Sequence, residues 1–177
     1  MRKIPNSSVH FYRYNANPGK ADIPDCAVRS VSLALKMPYV DVCRRLGVSF
    51  RDGHGLIRNS GIYMQKLKDE FDDYFDVVVD FEEELPDDAL PEVEYDTAAL
   101  FDDGEIYGRN DEMTLSEWME LNRGTGRYIV GLHSPSSKAN GHLVCVSTNR
   151  MEFYDTWDCS DWKVDAWMRV RRRYDGA

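Results

Sequence analysis

A cysteine, a histidine and an aspartate stand in this chain in the order that thiol catalysis uses. Cys26 opens an apolar, helix-compatible run, and His142 and Asp155 fall on two predicted strands far along the chain. A helix N-terminus stabilises a thiolate, an imidazole accepts the thiol proton, and a carboxylate holds the imidazole in the correct tautomer. The pattern therefore predicts a triad of Cys26, His142 and Asp155 that attacks an amide carbonyl.

The turn between the two strands decides whether His142 and Asp155 share a face of the sheet. A two-residue turn at 148–149 puts Asp155 opposite His142, and one at 149–150 puts Asp155 diagonally beside it. Either register places both side chains on one side, whereas a three-residue loop with a bulge separates them. Asp158 is the alternative residue for orienting the imidazole.

The remaining cysteines fit a structural role. Cys43, Cys145 and Cys159 are each predicted to be small buried hydrophobic residues, and the same role is the alternative for Cys26. Cys145 alternates with His142 along a strand and is therefore expected on the other face of the sheet. Cys26 differs from the others because a turn precedes it, a helix follows it and polar residues flank it.

The base has competitors among the four histidines of the chain. His133 also ends a predicted strand, His10 is expected at the surface, and His54 lies in a glycine-flanked loop. Gly141 stands directly before His142 and indicates close backbone approach, which a cleft requires. We therefore expect His142 to be the base.

The oxyanion of a tetrahedral intermediate needs hydrogen-bond donors. The backbone N–H of Cys26 is one candidate, and a side-chain amide is the second. The only glutamine, Gln65, falls in a predicted helix, which leaves Asn15 and Asn17. Asn17 is preferred because Pro18 fixes the turn that follows, and making that turn is its alternative role.

Composition and charge restrict the class of protein. The chain has 177 residues, of which 42% are hydrophobic and 30% charged, and its net charge is -9. These values predict one globular domain over residues 1–177. The negative charge disfavours nucleic-acid binding and also attack on anionic cell walls. The four cysteines show no paired spacing, so no disulfide framework, no metal site and no cofactor are expected.

The location and the acidic middle of the chain follow from its patterning. No apolar run is long enough to cross a membrane, and the N-terminus lacks the apolar stretch of a secretory signal. We expect a cytoplasmic protein that does not bind membranes.

Residues 76–112 carry many carboxylates and only Arg109 as a cation, which predicts a surface insertion. Solubility is its ordinary role, and a docking surface for a basic protein partner is the alternative.

Helical patterns come first along the chain and most of the strands follow. A strand or extended arm is predicted at 9–14, and a further strand at 77–79. Helices are predicted from Asp25 as N-cap, from Pro38, from Ser60, and from a capping box at Thr114 and Glu117. The later strands are predicted at 127–133, 141–147, 151–156 and 163–171. This order predicts an α+β fold in which N-terminal helices pack on a C-terminal antiparallel sheet.

Four short segments resemble a group of small bacteriophage-encoded proteins that look like papain-like cysteine peptidases. They are NPGK at 17–20, DCAVRS at 25–30, GHLV at 141–144 and YDTWD at 154–158. The resemblance covers the N-terminal segment and the C-terminal strands but not the acidic middle. It implies a papain-like fold with Cys26, His142 and Asp155 as nucleophile, base and orienter. The chain departs from the pattern at Ser30 and in the 149–150 turn, where a glycine is common.

These observations together predict a cysteine peptidase that cleaves an amide or isopeptide bond of a protein or peptide. The resemblance implies a phage protein that acts in the host cytoplasm. Two other functions remain open at this point. The same residues would serve acyl transfer of the transglutaminase kind, and a catalytically retired fold would serve as a binding or inhibitor protein. The acidic stretch and Asp25, whose carboxylate neighbours the thiol, favour the retired fold.

Overall fold

The structure is a computed structural model, and it describes residues 8–20, 23–48, 60–80 and 113–174. Within these residues the helices are α1 (Cys26–Leu35), α2 (Tyr39–Leu46), α3 (Ser60–Glu70) and α4 (Leu115–Leu121). The strands are β1 (His10–Arg13), β2 (Phe75–Asp80), β3 (Arg127–Ser134), β4 (Ser137–Ser147), β5 (Glu152–Asp155) and β6 (Lys163–Val170). The α+β class predicted from the sequence is confirmed.

All six strands join one sheet in the order β1-β5-β4-β3-β6-β2. Strand β1 pairs with β5 in parallel, and the other neighbouring pairs are antiparallel. The sheet is therefore mixed, and the prediction of a purely antiparallel sheet is wrong. Strand β6 pairs with β3 instead of following β5, because a strand pattern records which residues are extended but not which strand they meet.

Helices α1, α2 and α3 cover one face of the sheet. The buried side of α1 consists of Ala27, Val28, Val31 and Ala34, whose spacing makes one helical face. Against it pack side chains from three central strands, namely Ile129, Leu143, Cys145, Ala166 and Met168. The start of α1 is therefore held against the middle of the sheet.

Helix α4 covers the opposite face. It begins at the predicted capping box, in which Thr114 and Glu117 satisfy each other's backbone N–H groups. Its buried residues pack in a second core with Val144, Val146 and Phe153. Cys145 lies in the first core and Val144 in the second, so β4 alternates between the two faces as predicted.

Strands β4 and β5 pair over a short distance and then separate. Their paired residues are Val146 with Phe153 and Ser147 with Glu152, and the connecting loop is 148–151. This is the second of the two predicted registers. It puts Asp155 level with Val144 and therefore diagonally beside His142. Beyond the paired part, β5 continues beside β1, where Arg13 is the partner of Asp155.

The C-terminal arginines meet the beginning of the acidic stretch. Residues 76–80 of the predicted insertion belong to β2, and residues 81–112 lie outside the described residues. Arg169 Nε donates to Asp76 Oδ1 at 2.8 Å, and Arg171 Nε donates to the carbonyl oxygen of Phe75 at 3.1 Å. These two arginines therefore hold β2 against β6.

The helices of the described ranges were compared with the length and hydropathy that a bilayer crossing requires. In the part of the chain that the structure describes, none of them meets both requirements.

The packing of β4 against α1 gives a testable prediction. Leu143 is 1% exposed and stands next to His142, whereas Leu121 ends α4 and is 46% exposed. Leu143→Ala should lower the free energy of unfolding by about 2–5 kcal/mol, because it leaves a cavity in the first core. Leu121→Ala should change it by less than about 0.5 kcal/mol. Urea unfolding measures both, and equal losses in the two variants would contradict this placement of β4.

Candidate active site

The first turn of α1 carries the predicted nucleophile and a buried acidic residue. Cys26 is the first helical residue, and Asp25 occupies the N-cap position as predicted. Within the described residues the Asp25 side chain makes no capping hydrogen bond. It accepts instead from Arg29 Nε at 2.7 Å, from Tyr39 Oη at 2.6 Å and from Asn17 Nδ2 at 3.0 Å. Asp25 is therefore a centre of side-chain hydrogen bonds and not a helix cap.

Arg29 joins the start of α1 to the end of β5. Its Nη1 donates to Asp155 Oδ1 at 2.7 Å and to Thr156 Oγ1 at 3.3 Å, while its Nε is held by Asp25. All three charged side chains are buried, at 8% exposed or less. Burial opposes the charge of Arg29, but the carboxylates of Asp155 and Asp25 outweigh it and raise the pKa of Arg29.

His142 and Asp155 form a close buried pair. The distance from His142 Nε2 to Asp155 Oδ2 is 2.5 Å, and the backbone N–H of Thr156 donates to Asp155 Oδ1 at 2.7 Å. Burial opposes ionisation of Asp155, but the hydrogen bond and charge of His142 and the charge of Arg29 lower its pKa. The carboxylate of Asp155 is therefore held in position by three neighbouring groups, His142, Arg29 and the N–H of Thr156.

The thiol of Cys26 lies against the same imidazole. Burial opposes protonation of His142, but the hydrogen bond with Asp155 and the neighbouring thiols of Cys159 and Cys26 raise the pKa of His142 well above its usual range. Because Asp155 takes Nε2, Nδ1 is the ring nitrogen left for Cys26. The structure thus brings together the three residues that the sequence predicted as a triad.

Cys159 is a fourth member of this cluster that the sequence reasoning missed. Its Sγ lies 3.8 Å from Asp155 Oδ2, and its side chain is fully buried. Burial raises the pKa of the Cys159 thiol to about 11, so the thiol is protonated at neutral pH. The available signal was its position four residues after Asp155, in the turn segment between β5 and β6.

Two indole rings shield the imidazole. The ring centroid of Trp157 lies 4.8 Å from that of His142, and Trp162 lies 6.1 Å away in an edge-on arrangement. The two indoles also contact each other, at 4.8 Å between centroids. Both indoles therefore pack on His142. They keep water from the hydrogen bond between His142 and Asp155.

The alternative site residues have other contacts. Asp158 is exposed and accepts from the backbone N–H of Ser160 at 3.0 Å. His133 is buried and its Nδ1 bonds Asp165 Oδ1, while His10 is exposed. The other competing histidine, at position 54, lies outside the described residues. Of the two carboxylates predicted for the third position, Asp155 is therefore the one that bonds the imidazole.

Asn17, the predicted second oxyanion donor, is buried and already has partners. Its Nδ2 donates to Asp25 Oδ2 at 3.0 Å and to Tyr39 Oη at 3.3 Å, and its Oδ1 accepts from the N–H of Gly19 at 2.8 Å. These bonds hold the turn before α1 and support Asp25. The oxyanion role of Asn17 stays a prediction, and the backbone N–H of Cys26 is the donor that this arrangement favours.

The chain was compared with protein families, with curated proteins and with solved structures, and no significant match was found in any of the three.

The buried Arg29 gives the prediction that most directly tests this site. Arg29→Met should lower the free energy of unfolding by about 3–5 kcal/mol, because it leaves two buried carboxylates without their shared cation. Arg44→Met removes the exposed ion pair with Asp41 in α2 and should cost less than about 1 kcal/mol.

Denaturant unfolding of the two variants beside the wild type provides the measurement. Equal and small losses in both would show that Asp25 and Asp155 do not depend on Arg29 for their charge compensation.

Proposed function

We propose that the protein is a cysteine hydrolase with a papain-like arrangement of Cys26, His142 and Asp155, acting on an amide or isopeptide bond. The observation that carries this proposal is the position of one imidazole between two partners. Asp155 takes Nε2 of His142, and the Cys26 thiol at the start of α1 also contacts that ring. A nucleophile, a base and an orienter are thereby in reach of one another.

The first half of the reaction transfers the acyl group to sulfur. The proton of the Cys26 thiol passes to His142, and the thiolate attacks the carbonyl carbon, so that a C–S bond forms and the carbonyl oxygen becomes an oxyanion. The backbone N–H of Cys26 donates to this oxyanion, with the positive end of α1 behind it. The oxyanion then collapses, the C–N bond breaks, and His142 gives its proton to the leaving amine.

The second half regenerates the thiol. Neutral His142 removes a proton from a water molecule, whose oxygen attacks the thioester carbon. The C–S bond breaks, a carboxylic acid leaves, and the proton returns to the sulfur of Cys26. Asp155 stays ionised throughout and stabilises the imidazolium in both halves. Its pair with Arg29 favours this, because the guanidinium holds the pKa of the carboxyl low.

The depth of the site restricts the substrate. The side chain of Cys26 is 8% exposed and that of His142 is 6% exposed. A narrow substrate segment, such as an extended peptide or a lysine-linked amide, reaches so buried a thiol more easily than the surface of a folded protein does. The resemblance to phage-encoded proteins suggests a protein or peptide substrate in the host cytoplasm. An amine in place of water in the second half would give acyl transfer of the transglutaminase kind.

A non-catalytic binding or inhibitor protein is the second candidate. The observation in its favour is the same closure of the site, together with the buried Asp25 carboxylate next to Cys26. In this case the ion pairs of Arg29 serve stability alone. A basic protein partner for the acidic stretch belongs to this candidate and remains a proposal from the sequence.

Thiol labelling distinguishes the two candidates without a known substrate. Iodoacetamide at mildly acidic pH should label Cys26 at least about tenfold faster than Cys43, because proton transfer to His142 supplies thiolate at Cys26 alone. Burial raises the pKa of Cys43, which makes it the internal reference. Peptide mass spectrometry of timed samples gives both rates.

A His142→Asn variant separates activation from access. It should bring the labelling of Cys26 down to the rate of Cys43, since the base is gone while the opening to the thiol remains. Equal rates for Cys26 and Cys43 in the wild type would remove the support for the hydrolase.

Product analysis tests the reaction itself. Wild type incubated with bacterial lysate should generate new protein N-termini, and Cys26→Ala should reduce them by about 10³-fold or more. Cys145→Ala is the matched control, because Cys145 is a buried cysteine on the face of β4 opposite His142 and should retain activity. Incubation with an added amine shows whether the acyl group passes to water or to the amine. The same N-termini in wild type and Cys26→Ala would argue against the proposal.

A further inference from the structure

Three different donor atoms converge beside the imidazole. A ring nitrogen of His142, a carboxylate oxygen of Asp155 and the Cys159 sulfur all lie within 4.8 Å of one another. The shortest of these separations is the 2.5 Å between His142 Nε2 and Asp155 Oδ2, and Cys159 Sγ is 3.8 Å from that same oxygen. All three residues are buried. The proposed reaction uses the first two residues and gives Cys159 no part.

The surroundings leave these donors suited to a cation. Arg29 and the N–H of Thr156 occupy Oδ1 of Asp155, so that Oδ2 faces His142 and Cys159. The positive charge of Arg29 does not repel a further cation strongly, because Asp25 holds its other edge at 2.7 Å. The buried Asp155 carboxylate is one negative ligand, and a Cys159 thiol that gives up its proton when it binds a metal adds a second.

We propose that Cys159 Sγ, His142 Nε2 and Asp155 Oδ2 form a binding site for a divalent cation of the zinc class, and that its binding switches off the thiol site. One sulfur, one nitrogen and one oxygen donor select a borderline cation such as Zn²⁺ over Mg²⁺ or Ca²⁺. Three protein ligands leave a fourth tetrahedral position for water. The inhibitory half rests on the proposed function, whereas the binding half does not.

Binding exchanges protons for metal bonds and changes the state of the triad. The proton of the Cys159 thiol and the proton between Nε2 and Asp155 leave to solvent, and bonds from sulfur, nitrogen and oxygen to the metal replace them. His142 then keeps its remaining proton on Nδ1 and has none to gain from Cys26. The imidazole loses its role as base, and Asp155 loses its role as orienter.

Cobalt provides a readout that is independent of catalysis. Purified protein, kept reduced with a phosphine, is titrated with Co²⁺, and the sulfur-to-cobalt charge-transfer band and the visible bands of tetrahedral cobalt are recorded. Zn²⁺ is then added in competition. The wild type should bind one ion per chain. Cys159→Ser should weaken binding by at least about tenfold and abolish the charge-transfer band.

Two further variants make the result specific. Cys26→Ala should bind cobalt as the wild type does and keep the charge-transfer band, because Cys26 is not among the three clustered donors. Cys145→Ala should also be unchanged, since Cys145 belongs to the opposite face. Absence of one-to-one binding in the wild type, or undiminished binding in Cys159→Ser, would overturn the site. Loss of the band in Cys26→Ala would overturn the assignment of Cys159 as its sulfur ligand.

The inhibitory half is read from the Cys26 labelling rate. Zn²⁺ should slow iodoacetamide labelling of Cys26 in the wild type, and a chelator should restore it. If cobalt binds as proposed but Cys26 shows no enhanced labelling before zinc is added, the proposed function fails while the metal site stands. If Cys26 labels rapidly and cobalt does not bind, the metal site fails while the proposed function stands.

Discussion

The guanidinium of Arg29 between two buried carboxylates is the interaction on which the rest of this structure depends. It holds Asp25 at the start of α1 and Asp155 at the end of β5 with hydrogen bonds of 2.7 Å each. Burying either carboxylate in a core without a cation would destabilise the fold, because the loss of hydration of an unpaired charge costs several kcal/mol. The same side chain therefore satisfies the burial of two acids and fixes the distance between a helix and a strand that are far apart in sequence.

The position of the thiol depends on where two strands part. Strands β4 and β5 pair only at Val146 with Phe153 and at Ser147 with Glu152. Beyond that point β5 follows β1, and the start of α1 reaches the imidazole although most of the helix packs on the opposite face of the sheet. An unbroken ladder between β4 and β5 would close this place with backbone hydrogen bonds. The early separation of β5 from β4 is therefore a condition for the site.

Burial gives the cluster its chemical character. Indoles cover His142, and exclusion of water strengthens the charge interactions of Asp155 with both of its cations. The same burial raises the pKa of Cys159 to about 11, so the second thiol stays protonated beside an ionised carboxylate. One imidazole consequently has two thiol neighbours with different tasks in our proposals, Cys26 for acyl transfer and Cys159 for a metal ion.

The sequence by itself determined the local elements and one relation across the sheet. Helical spacing, the capping box at Thr114 and the strand patterns depend on neighbours along the chain, and the even separation across the hairpin put His142 and Asp155 on one face. Only the tertiary structure decided that Arg29 pairs with Asp155, that Cys159 joins the imidazole, and that β1 lies parallel to β5. Each of these depends on which distant segments meet. A buried polar side chain takes whichever partner the folded chain brings within hydrogen-bond distance, and no local pattern encodes that choice.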